Sequence, residues 1–65
     1  MKPIRIRIIH TSGAVTTIDY ETSLSAEKVL QEIVDQMQRL DLVVLPNSVV
    51  QVRYIEVVTV EDKAF

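Results

Sequence analysis

Apolar residues recur along Ser25–Leu40, SAEKVLQEIVDQMQRL, at the i, i+3, i+4, i+7 spacing of one face of an α-helix. Ala26, Val29, Leu30, Ile33, Val34, Met37 and Leu40 form the stripe, and nearly every other position is charged or amide. Ser25 stands where its hydroxyl can cap the first turn. Leu24, just before the cap, and Val29, at the fourth helical position, have the spacing of a hydrophobic staple. Glu27 lies near the positive amino end of the helix and Arg39 near the negative carboxyl end, both favourable to the dipole. A helix of this kind holds only when its stripe is covered, so the rest of the chain is expected to supply a sheet.

Ahead of the helix the pattern changes to a period of two. In Pro3–His10, Ile4, Ile6 and Ile8 alternate with Arg5, Arg7 and Ile9, the signature of a strand. Ala14–Tyr20 reads as a second strand, with Thr16, Ile18 and Tyr20 on one face and Val15, Thr17 and Asp19 on the other. A two-residue turn at Ser12-Gly13 sets Ile8 opposite Thr17 and Ile6 opposite Asp19, mixing the faces. A three-residue loop, Thr11-Ser12-Gly13, instead sets Ile8 against Thr16, Ile6 against Ile18, Ile4 against Tyr20 and Arg5 against Asp19, an ion pair across the strands. The longer loop also calls for a left-handed residue at its third position, where the chain's one glycine stands.

Beyond the helix the pattern is less decided. Asp41–Leu45 fits either a helix extension or a short strand, with Val43-Val44 leaning toward extended backbone. Pro46-Asn47-Ser48 signals a turn. Val49–Val60, VVQVRYIEVVTV, reads as one long strand or two separated by a bulge, since its alternation slips at Tyr54-Ile55. Fully extended, that stretch reaches about 40 Å, whereas the helix spans only about 22 Å. The strand must therefore bend, break or run on to meet another chain. Glu61–Phe65 is charged and expected to fray, with Phe65 able to dock.

At 65 residues the chain makes one domain, and a domain this small buries only about 60% of its unfolded surface. Such chains generally need a staple. The sequence has no cysteine and one histidine, which removes disulfides, thiolate zinc and histidine-rich metal sites. Self-association is the staple left, and an apolar fraction of 48%, mostly Val, Ile and Leu, suits it. The net charge of −2 is far from the basic excess of a nucleic-acid clamp. No apolar run is long enough to span a membrane, and MKPIRIRIIH lacks the continuous apolar stretch of a signal peptide. A cytoplasmic protein is the expectation.

Few residues carry chemistry. His10 and Ser12 are neighbours in a tight loop, where side chains rarely aim at each other, so no catalytic residue is expected. Glu27, Glu32 and Asp35 read as a solvated helix face, not a metal site. One glycine cannot form a phosphate loop, and no cofactor motif is present. Arg5, Arg7 and Arg53 are of more interest. Opposite Ile4, Ile6, Val52 and the core-facing Tyr54, they fall on the sheet's outer face with Ile9, Ile55, Val57 and Val15. Arginine among exposed aliphatics is the composition of a contact surface. Arg5, Arg7, Ile9, Arg53, Ile55 and Val57 are therefore the candidate partner-binding or oligomer interface. A weak nucleic-acid-binding regulator using the three arginines is the alternative; it lacks the exposed aromatics on which bases stack.

The hairpin MKPIRIRIIHTSGAVTTIDY followed by the capped helix resembles the opening half of a ubiquitin-like β-grasp domain, which implies later strands added beside the first. The chain has no diglycine tail, so conjugation is not implied. The expected fold is α+β, ββαβ or ββαββ: hairpin 3–20, helix 25–40, a β-rich half 42–60, and one helix on a mostly antiparallel sheet. The expected function is a non-enzymatic protein-interaction module that forms a homodimer or larger oligomer through its sheet face or long carboxyl-terminal strand and also binds another protein. It would serve as an accessory, adaptor or inhibitor protein of the sort phages and mobile elements encode.

Overall fold

A computed structural model describes residues 1–63. Among these the order is β1 Lys2–His10, β2 Val15–Thr22, α1 Ala26–Arg39, β3 Leu42–Leu45, β4 Ser48–Gln51, a 3₁₀ turn at Val52–Tyr54, and β5 Ile55–Asp62. This is the expected α+β fold. The strands form a three-stranded antiparallel sheet, β2-β1-β5, and a separate β3–β4 hairpin.

The β1–β2 register pairs Ile4 with Tyr20, Arg5 with Asp19, Ile6 with Ile18 and Ile8 with Thr16. The loop has three residues. His10 N donates to the Ala14 carbonyl at 2.8 Å, and Gly13 N to the His10 carbonyl at 2.9 Å. Gly13 takes φ +93°, the positive value that an L side chain resists.

The helix begins where expected: Ser25 Oγ accepts from Lys28 N at 3.2 Å. Its stripe is buried at Val29 and Ile33 and partly buried at Met37. Val34 and Leu40 are exposed, however. Leu40 has already left the helix, with φ −126° and ψ 158°, and leads the chain into β3. Gln36 Oε1 accepts from Val44 N at 2.9 Å, tying the helix to that strand.

Leu42–Leu45 is thus a strand. It returns through Pro46-Asn47, setting Leu45 opposite Ser48 and Val43 opposite Val50. Both turn residues keep negative φ, which suits proline at the first central position. Val43, Leu45 and Val50 face inward and join Ile4, Ile6, Ile8, Ile18, Val29 and Ile33 in one core.

The stretch Val49–Val60 does not run as one strand. It breaks at the 3₁₀ turn, which is held from two sides: Val52 N donates to the Asp41 carbonyl at 2.9 Å, and Thr11 N to the Tyr54 carbonyl at 2.8 Å. Both anchors lie far off in sequence. A β-bulge follows, because Ile9 pairs with Val57 but His10 pairs with Ile55, leaving Glu56 unmatched. Beyond it β5 runs antiparallel to β1 as far as Ile4–Asp62. Glu61 and Asp62 therefore belong to the sheet instead of a frayed tail, and Lys63 N still donates to the Pro3 carbonyl at 3.1 Å. The docking expected of Phe65 lies outside the described residues. Among the described residues no helix is long and apolar enough to cross a membrane.

Candidate interaction surface

Alternation along β1 sends Ile4, Ile6 and Ile8 to the core, and Arg5, Arg7 and Ile9 to the opposite face. The registers then build that outer face row by row. Val15, Ile9 and Val57 line up across the three strands. Thr17, Arg7 and Thr59 form the next row, and Asp19, Arg5 and Glu61 the one after. Val15 and Val57 are exposed and Ile9 is half-buried. One end of the face is thus a short aliphatic band and the other an ionic cluster.

Asp19 is the hub of that cluster. Arg5 grips it with two nitrogens, Nε to Oδ1 at 2.8 Å and Nη2 to Oδ2 at 3.2 Å. Lys63 Nζ reaches Oδ2 at 3.2 Å. The Arg5 hydrogen bond first, and the Lys63 bond after it, hold the Asp19 carboxyl down at about 2. Arg7 lies 3.9 Å from Glu61, a looser pair.

Two of the expected surface residues lie elsewhere. Arg53 sits in the 3₁₀ turn with its guanidinium 4.9 Å from the centre of the Tyr54 ring, away from the sheet face. Ile55 packs against the core instead of lying on the outer face. The bulge at Glu56 is the cause: one unmatched residue reverses the facing of everything before it. The same break leaves Tyr54 48% exposed, so it is not the core residue its alternation implied. Tyr20 does pack against the core. Arg5, Arg7, Ile9 and Val57 share the outer face as expected. The three arginines form no common basic patch, and Arg5 and Arg7 each have an acidic neighbour.

A second apolar surface was missed. On the outward side of β3–β4, Val44 and Val49 are directly paired and each 58% exposed, with Leu42 beside them. The signal was present in the alternation of Leu42–Leu45, but that segment could not be read as a strand without knowing its partner.

The hairpin tip holds His10 and Ser12, yet the His10 ring nitrogen Nε2 meets Thr16 Oγ1 at 2.7 Å, while Ser12 Oγ faces its own turn at Ala14 N. A His–Ser pair does not form. Of the helix carboxylates, Asp35 pairs with Arg39 one turn on, and no cluster of potential metal ligands occurs among the described residues. Shallow grooves run between Asp41 and Arg53 and between the hairpin tip and β4. No protein-family model, curated protein or solved structure matches the chain.

Proposed function

We propose that the protein is a small, non-enzymatic interaction module that self-associates through its three-stranded sheet and presents the assembly to another protein as an accessory, adaptor or inhibitor. The observation that carries this reading, contact with a partner protein above all, is the outer sheet face. Val15 and Val57 stand exposed on it, and the Val15–Ile9–Val57 band crosses it in register. Exposed aliphatic bands on a domain this small favour contact with a partner, and the chain has no disulfide to hold it otherwise. A cytoplasmic site of action belongs to the same proposal.

Molar mass by light scattering over a dilution series tests it. Mass rising toward twice the monomer value, or beyond, with concentration is the expected result. A constant monomer mass to the solubility limit overturns the reading.

A further inference from the structure

The three-stranded sheet has two outer strands, and they are not equivalent. β5 packs more closely against α1, whereas β2 bonds along one side to β1 and meets the core through Ile18 and Tyr20. On β2, even-numbered residues pair with the inward-bonding positions of β1. The backbone N–H and C=O groups of Val15, Thr17, Asp19 and Glu21 therefore point out of the sheet. None of these groups bonds to backbone or side chain elsewhere among the described residues. Eight residues long, the strand carries neither proline nor bulge, and Asp19 and Glu21 are the charges that guard it as an edge.

Pairing this edge with its own copy is tightly restricted. A twofold axis normal to the sheet makes the partner strand antiparallel, and the pleat allows the axis to pass only through a residue, never between two. The two longest registers are centred on Ile18 and on Asp19. Centring on Asp19 sets that carboxylate against its own copy, and centring on Tyr20 sets Asp19 against Glu21; like charges directly opposite are unfavourable. Centring on Ile18 sets Ile18 against Ile18, Thr16 against Tyr20, Thr17 against Asp19 and Val15 against Glu21, with no like charges opposed. Nor does Asp19 arrive as a bare charge, since Arg5 and Lys63 already hold it. The half-buried Thr16 and Tyr20 gain cover on the core side.

We infer that a second copy of this chain adds across β2 about Ile18, making one six-stranded sheet with the order β5-β1-β2-β2-β1-β5. This rests on the self-association proposed above and assigns its contact to the strand edge and not to the outer face, which stays open to a different partner.

Three variants, compared with the natural chain in the same dilution series, test it. Thr17→Pro removes an outward N–H and no internal hydrogen bond, a position where edge strands accept proline. It should weaken dimerisation at least about tenfold while the helical circular dichroism is unchanged. Ile18→Cys introduces the chain's only thiol. Directly opposed positions of this type lie about 4.5 Å apart at Cα, inside the disulfide range of about 4.4–6.8 Å. Oxidation should therefore give a covalent dimer, whereas Thr22→Cys, opposite Ala14, should not. Ile9→Lys with Val57→Glu replaces the outer band by a cross-strand ion pair and should leave dimerisation unchanged. If the natural chain assembles but Ile18→Cys fails to cross-link, or the Ile9/Val57 pair alone abolishes assembly, the edge assignment falls and self-association stands. A natural chain that stays monomeric overturns both.

Discussion

Gly13, at φ +93°, has nothing within 4 Å of where a Cβ would lie, so Gly13→Ala isolates backbone strain. It should cost about 1–2 kcal/mol, read as a lower urea midpoint at unchanged slope. Asp19 gives a pH signature. Its folded pKa, about 2, lies below the ordinary value of 3.8, so its ionised form contributes stability above the ordinary value. That contribution is lost as pH falls through the folded value. Asp19→Asn should flatten the decline in urea midpoint between these pH values, and added salt should shrink the difference between the two proteins. Ser48 Oγ is buried without a hydrogen-bond partner among the described residues. Ser48→Ala should raise stability by about 1 kcal/mol, the cost of an unmet hydroxyl. Residue pairings in the hairpin were legible because three constraints coincided: the isoleucine face, the Arg5–Asp19 charges and the single glycine. The facing of Ile55 and Tyr54 was not, because it depends on a bulge against β1, some 45 residues earlier in the chain.

At the level of elements, the helix declared itself by stripe and cap together. Ser25→Ala removes the bond to Lys28 N and should cost about 1 kcal/mol, measured by denaturation with the α1 amides followed by hydrogen exchange. The carboxyl-terminal strands were legible only in part. Composition gave the β character of Val49–Val60, and its excess length over the helix required a break. The 3₁₀ turn that makes the break carries no glycine or proline; Asp41 and Thr11 hold it through backbone bonds, and backbone bonds leave no trace in residue type. For the outer face, alternation placed Arg5, Arg7 and Ile9 correctly, and Val57 too, which lies on the carboxyl-terminal side of the bulge, in register with Ile9.

For the whole molecule, the core is one cluster shared by the three-stranded sheet, the helix and the β3–β4 hairpin. Ile8 is fully buried within it. Ile8→Ala should cost about 2–5 kcal/mol, a large share of what a domain of this size can hold, so the variant should be substantially unfolded at room temperature by circular dichroism. Beyond the energy of the core, the antiparallel β1–β5 ladder sets a time. β1 and β2 are neighbours and can pair within microseconds, but Asp62, the last β5 partner of β1, emerges 40 residues after Thr22 closes β2. At ordinary synthesis rates that is a wait of about 2–8 s. Until then the central strand of the finished sheet is itself an outer strand, its β5-facing backbone groups unpaired even after α1 has been made to cover its isoleucine face.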